Sequence, residues 1–210
     1  MAKLWGGRFS KKSDPLADQF SFSIAYDKRL AKYDIEGSIA HAQMLGKCKI
    51  IPAKDAQKIV HGLMKIQAQI AANKFKFNAS DEDVHTSIQN ALKKIIGAQA
   101  DKLHTARSRN DQVVLDVRMY CKEEIEMIAK KLTNLQKAIL SFASKNNDVI
   151  IPAYTHLQAA QVVLLAHHML AYVEMLERDK ARLANIKTRV DVMPLGSCAL
   201  SGTTLPIDRA

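Results

Sequence analysis

The stretch His104-Thr-Ala-Arg-Ser-Arg-Asn-Asp-Gln112 concentrates side chains able to do chemistry. Arg107 and Arg109 offer planar forks that match a carboxylate or a phosphate. Asn110 and Ser108 add short hydrogen-bonding groups. Apolar residues follow at helical spacing, with Val113, Val117 and Tyr120, so the polar group heads a helix. The first turn of a helix has unpaired N–H groups and the positive end of the dipole, which together attract anions. These residues by themselves also allow a plainer reading: Ser108 or Asn110 caps the helix and the arginines lie in water.

A second polar group, Pro152-Ala-Tyr-Thr-His-Leu-Gln-Ala-Ala-Gln161, also precedes an apolar pattern: Val163, Ala166, Leu170, Val173, Leu176, Leu183, Ile186 and Val190. It reads as a loop leading into a long helix. His85 and Thr86 fall near another helix start, where a lone histidine is ordinarily just hydrogen-bonded and partly buried. Phe20-Ser-Phe-Ser-Ile24 alternates and allows a strand, or else a ligand site using the hydroxyls of Ser21 and Ser23. His41 reads as a packed or interfacial histidine.

The elements that must position these groups are helical. Leu30, Tyr33, Gly37, His41 and Met44 form one stripe. Gly37 costs that helix about 1 kcal/mol against Ala, which a close helix–helix approach would justify. Pro52 opens the next helix, whose stripe is Ile59, Leu63, Ile66 and Ile70. Ser80-Asp-Glu-Asp83 reads as a cap and an acidic first turn, with Ile88, Leu92 and Ile95 carrying that helix to Gly97. Ile125, Ile128, Leu132, Leu135, Ile139 and Phe142 repeat every 3.5 residues on average. The helix bearing them, from about Asp111 to about Ser144, is ~50 Å long and calls for a long antiparallel neighbour. The expected fold is all-α, with a mainly helical domain over residues 1–110 and the first part of a long-helix bundle over 111–210. The two polar groups then fall at opposite ends of that bundle, so a site using both requires a second copy packed head-to-tail.

Composition narrows the functional classes. Eight glycines and five prolines in 210 residues argue against a turn-rich β fold. The three cysteines, Cys48, Cys121 and Cys198, have no metal-site spacing and read as reduced thiols of a cytoplasmic protein. The net charge of +10 comes from scattered lysines with no basic block or RNA-binding motif, which favours small anions over nucleic acid. Residues 149–173 carry no formal charge, yet Pro152, His156, His167 and His168 argue against a membrane span. The first residues lack the apolar run of a signal peptide.

Leu4-Trp-Gly-Gly-Arg-Phe9, Glu82-Asp-Val-His-Thr86, Lys102 to Val113, Tyr154-Thr-His-Leu-Gln158 with Gln161, and Pro194-Leu-Gly-Ser197 together resemble the argininosuccinate lyase family, in its order and spacing and across essentially the whole chain. That family belongs to the fumarase/aspartase superfamily of helical bundles. The resemblance implies cleavage of argininosuccinate to arginine and fumarate, with no metal or organic cofactor, in a homo-oligomer that is a tetramer in the full-length family. It implies His156 as an acid/base group aided by Thr155. It implies substrate contacts from Ser23, His85, Thr86, Arg109, Asn110, Thr155 and Gln158.

Two departures stand out. Val162 replaces a proline usual in the family, which should weaken a helix start. The family's Gly-Ser-Ser-x-Met-Pro loop, whose serine is thought to abstract the proton, has no match in residues 1–210. Two of three active-site signatures are thus expected in a bundle truncated before completion, inactive or nearly so by itself. The alternative is a non-catalytic, crystallin-like helical oligomer.

Overall fold

The computed structural model describes residues 14–209, so the Leu4–Phe9 motif lies outside the described residues. Contacts cluster into two compact units, one running to Val117 and rejoined from Pro194 onward, the other Arg118–Met193. This division by contacts differs from one by element type at residue 110.

In the first unit, Asp14 caps α1 (Pro15–Ser21) by accepting a 2.8 Å hydrogen bond from Leu16 N, and Pro15 supplies the first helical turn. The short α2 (Ile24–Asp27) follows. The strand allowed at Phe20–Ile24 is therefore replaced by helix on both sides of Ser23. Phe20 is 93% exposed while Ile24 is buried, so the alternating residues do not share one core face, and among the described residues no strand pairs with them.

Three longer helices build the interior: α3 (Ala31–Lys47), α4 (Ala53–Ala71) and α5 (Val84–Ile96). The stripes of α4 and α5 largely follow the sequence spacing, whereas the buried face of α3 also takes in Ile35 and Leu45 and leaves Met44 half-buried. Ile35, Leu45, Ile59, Leu63, Ile66, Ile88 and Leu92 are all buried, while Ile95 stays partly exposed. Gly37 does mark a close approach: a Cβ there would stand 2.9 Å from Leu115 Cδ2. Removing a buried side chain from this core leaves a cavity that packed neighbours fill only in part. Leu63→Ala is expected to cost about 2–5 kcal/mol; a loss below about 1 kcal/mol in a chemical melt would contradict this packing.

The cap of α5 is Asp83, not Ser80. Asp83 Oδ1 accepts from Thr86 N at 2.6 Å, whereas Ser80 is tied back to the Asn78 side chain in a local turn. Residues 81 and 82 thus precede the helix, and His85 becomes its second residue. Gly97, at φ +76°, ends α5 in a conformation that suits glycine. A 3-10 stretch over Gly97–His104 leads to α6 (Arg109–Lys145).

At 37 residues α6 is about 55 Å long and enters the second unit at Arg118. There it pairs with α7 (Leu165–Val190), as the long seam predicts. Lys122 bonds Asp191, Glu126 bonds Lys187, and Gln136 donates to Val173 O, an order that makes the two helices antiparallel. The buried Gln136 also donates to Glu177 and accepts from Lys180, so no amide group is stranded in the seam. Ile125 and Ala143 are buried, but Leu135 and Phe142 are each 48% exposed.

Residues 150–164 form a hairpin rather than a loop entering a helix. β1 (Ile150–Thr155) pairs antiparallel with β2 (Gln158–Leu164), with an irregularity at Ala153/Tyr154. β-branched residues at both feet, with Ile151 opposite Val163, suit a pleated pair. His156 and Leu157 form the turn with φ +49° and +61°, the left-handed pair that a two-residue hairpin demands. Val162 accordingly stands in β2 opposite Pro152, and not in the first turn of a helix. The small sheet is an insertion in a helical fold. Among the described residues, no helix is long and apolar enough to cross a membrane.

Candidate active site

Two sets of polar contacts meet at the start of α5 inside the first unit, one reaching α2 and the other the start of α6. Ser23 Oγ donates to Asp27 Oδ2 at 2.6 Å, and the same oxygen accepts from Val84 N at 3.2 Å. Ser23 N donates to Glu82 O. Ser23 is thereby fixed against the N-terminus of α5, and Asp27 satisfies an otherwise orphan first-turn N–H.

From Thr86 N the network passes through Asp83, whose Oδ2 lies 3.3 Å from Arg109 Nε. Arg109 Nη1 donates to Gln112 Oε1 at 3.1 Å. The Gln112 amide in turn donates to Asp34 Oδ1, which also pairs with His85 Nδ1 at 2.8 Å. Three predicted residues, His85, Thr86 and Arg109, therefore share one set of polar contacts, Thr86 through its backbone, while Ser23 belongs to a second set at the same helix start.

Asn110 is exposed, and its backbone N donates to Ser108 Oγ at 3.2 Å. Ser108 N donates to Asp111 Oδ1, so Ser108 and Asp111 both help to fix the start of α6. Asp111 has a second duty: its Oδ2 accepts from Gly196 N and Cys198 N, clamping the Pro194–Cys198 segment onto the helix start. His41 is buried, with Nε2 2.9 Å from Thr105 O, the packing role its spacing predicts. Burial, then the Arg107 charge, lowers its pKa to about 4. His104 is lowered to about 4 by the same two causes, burial first.

Thr155, His156 and Gln158 lie in the second unit, exposed at the hairpin tip. Thr155 and Gln158 pair across the turn that His156 and Leu157 make. Left-handed backbone costs a non-glycine residue roughly 1–2 kcal/mol, and such strain clusters at functional positions. Two open hollows, of about 450 Å³ along Leu135, Ile139 and Met169 and about 360 Å³ beside Lys74 and Asn90, hold none of the predicted site residues.

Sequence reasoning missed the buried acids. Asp34 and Asp116 are 2% and 0% exposed, and His85 lies between them, 3.5 Å from Asp116 Oδ2. Asp34, His85 and Asp116 each bring one ligand-type atom within 4.8 Å of the others, an arrangement that fits a divalent cation as well as a shared proton. Two carboxylates at that separation repel by about 3.5 kcal/mol at an effective dielectric of about 20, so the pair does not ionise freely. Burial pushes Asp34 up, but the His85 hydrogen bond, the His85 and Arg107 charges and the Gln112 amide outweigh it and hold its carboxyl below the usual range. Burial and the Asp34 charge push Asp116 up to about 9. A signal was present: Asp34 lies between Leu30, Gly37 and His41 on the apolar stripe of α3, and Asp116 beside Val113, Val117 and Tyr120 on that of α6.

Helices in this order, with a polar network at the starts of α5 and α6, define a protein of the fumarate lyase fold. An EDDS lyase variant with bound fumarate superposes with a TM-score of 0.75 at 23% identity, over 95% of this chain and 40% of that one. A fumarate lyase from Mesorhizobium sp. gives 0.64 at 18% identity, over 88% and 43%. The family model described as lyase matches residues 7–210, and the chain belongs to that family. It is 54% identical to an argininosuccinate lyase from Pelotomaculum thermopropionicum over 100% of its own length and 45% of that relative. The chain thus spans less than half the length of the curated relative it matches.

Proposed function

We propose that this chain carries part of the site of an argininosuccinate lyase, which eliminates arginine from argininosuccinate and leaves fumarate. The observation that supports it most is the joining of His85, Thr86 and Arg109 through Asp34, Asp83 and Gln112, with Ser23 fixed at the same helix start through Asp27, in a chain 54% identical to an argininosuccinate lyase. In this reading Arg109 grips a carboxylate of the succinyl portion with its fork. A base removes the proton from the carbon beside that carboxylate. The electron pair then delocalises into the carboxylate, where Asn110 and Thr155 donate to the developing charge. Its return forms the fumarate double bond as the carbon–nitrogen bond breaks, and His156 exchanges a proton at the leaving side. Ser23, His85, Thr86 and Gln158 complete the substrate contacts.

The reading extends to a cytoplasmic homo-oligomer, a tetramer in its full form. By element type, residues 1–110 serve as the N-terminal domain and 111–210 as the first part of a central bundle. In this reading the Arg109 and His156 groups that complete one site come from different copies of the chain. Calorimetric titration with argininosuccinate tests the proposal. We expect saturable binding that Arg109→Ala weakens at least tenfold, as loss of a bidentate charge-assisted contact predicts. Absence of binding by the folded chain, or equal binding by the variant, would sink it in favour of a non-catalytic structural role.

A further inference from the structure

We propose that the hollow between the 74–81 loop and α5 is an anion site that takes the phosphate group of a small molecule, apart from the elimination site. Its wall on α5 is one stripe: Ser87, Asn90, Ala91 and Lys94 recur at helical spacing, next to the face that buries Ile88 and Leu92. Opposite, the chain reverses after α4, where Lys74 N and Phe75 N both donate to Gln69 O, at 2.8 and 3.2 Å. The hollow between them holds about 360 Å³, a size that suits a small ligand.

The charges of this hollow are unbalanced. Lys74, Lys76 and Lys94 line it, and among the described residues none of the three has an ion-pair partner. Lys93, one residue away, gives the contrast: it bonds Asp101 at 2.8 Å. The acid of the lining, Asp81, is buried and already satisfied, its Oδ2 accepting from Ser87 Oγ at 2.5 Å and its Oδ1 from Asn90 Nδ2 at 3.1 Å. Asp81 thus fixes the wall and leaves the lysines unanswered. Asn78 turns its side-chain oxygen to Ser80 N and Oγ, which leaves its amide nitrogen as a donor for a ligand. A sphere of this volume is about 9 Å across, close to the ~8 Å screening length of physiological salt. Three ammonium groups on such a lining act together on one bound ion.

The kind of donor selects the anion. Lysine is a compact point charge with rotatable donors, which suits a tetrahedral, multiply charged phosphate. The planar forks that match a carboxylate, Arg107 and Arg109, stand at the start of α6 and do not line this hollow. A nucleic-acid strand needs a basic track with successive stacking rings, and the lysines of this chain are scattered. Phe75 lines the hollow with its ring edge-on to Phe77, 4.8 Å between centroids, and offers one apolar surface to the organic part of a phosphate ester.

Titration of the folded chain with sodium phosphate at neutral pH, with ionic strength held constant by sodium chloride and amide NMR as the readout, tests this. We expect saturable shifts of the backbone amides from Lys74 to Asn78 and from Ser87 to Lys94. Lys74→Gln and Lys94→Gln should each weaken binding about tenfold, the worth of one charge-assisted contact. Lys93→Gln, whose ammonium serves Asp101, should leave it unchanged. A parallel titration with adenosine monophosphate identifies the source of the phosphate. Equal affinity supports a site for the free ion, and tighter binding supports one that also uses Phe75. Shifts that stay linear in concentration, shifts centred on Arg107–Gln112 instead, or equal weakening by Lys93→Gln and Lys94→Gln would overturn the inference. None of these readouts involves argininosuccinate, so the result stands apart from that of the proposed function.

Discussion

Asp116→Asn is expected to stabilise the chain at neutral pH, with a gain that grows as pH rises. The side chain is fully buried, with its folded pKa raised from 3.8 to about 9 by burial and by the Asp34 charge. Below pH 4 both the folded and the unfolded chain hold this proton, and the ionisation of Asp116 costs nothing. Above it the unfolded chain releases the proton and the folded chain does not, so stability falls by about 1.4 kcal/mol per pH unit until about pH 9. At pH 7 the accumulated loss is about 4 kcal/mol. Asparagine has nearly the same shape and never ionises, so the variant escapes it. His41 and His104 act in the opposite sense. Their folded pKa values of about 4 lie below the ordinary 6.5, so the unfolded chain binds more protons between those limits and stability rises with pH there. Wild-type stability should therefore peak near pH 6.5, while the variant should lose the decline on the alkaline side. Urea melts at pH 4, 7 and 9 measure this. A constant difference between the two proteins would contradict the assignment.

Asp34→Ala is expected to have the largest destabilising effect of any single polar replacement in the first unit, about 3–5 kcal/mol. The substitution removes the acceptor of His85 Nδ1 and of the Gln112 amide, and the principal counter-charge of Arg107. Each is left in an interior where a missing partner costs its full desolvation. A second consequence separates this from a simple cavity. The Asp34 charge is one reason Asp116 resists ionisation, so without it Asp116 should ionise more readily and take over as counter-charge to Arg107. The alkaline decline of the wild type should shrink in Asp34→Ala. Combining it with Asp116→Asn should then cost more than the two single effects added, because Arg107 loses both acids. A double-mutant cycle at pH 7 that is additive within 0.5 kcal/mol would show that the acids do not communicate.

The sites differ in how far their residues could be read in advance. Arg109 and Ser23 stand out in the sequence because their types are unusual for their places, a fork at a helix start and a hydroxyl among apolar residues, and the structure sets both against the start of α5. His85 was legible only as part of a motif. By itself it is a histidine in a first turn, and nothing local says that two acids enclose it. The hairpin at Ile150–Leu164 was misread because polar Thr155, His156 and Gln158 suggest a loop. Ile150, Ile151, Val162 and Val163 pair only when the chain reverses, and the reversal uses His156 and Leu157 where glycine or asparagine is the usual sign. The cap at Ser80 failed for a similar reason: hydroxyl and acid both satisfy the local rule, and the Asn78 side chain claimed the hydroxyl first.

The amino-acid sequence by itself determined the main helices, most of the buried faces of α4 and α5, the long pair α6 and α7 and the close approach at Gly37. Apolar spacing of 3.6 residues is a local property, and burial of the stripe is the dominant stabilising term wherever the helix packs. Only the tertiary structure decided which charges would be buried and with whom. Asp34 and His85 stand 51 residues apart in sequence, and Asp34 and Gln112 stand 78 apart. An aspartate has the same letter whether it is solvated, paired or holding a proton. Its ionisation depends on distances to other charges and on the exclusion of water, and both are fixed only when α3, α5 and α6 meet.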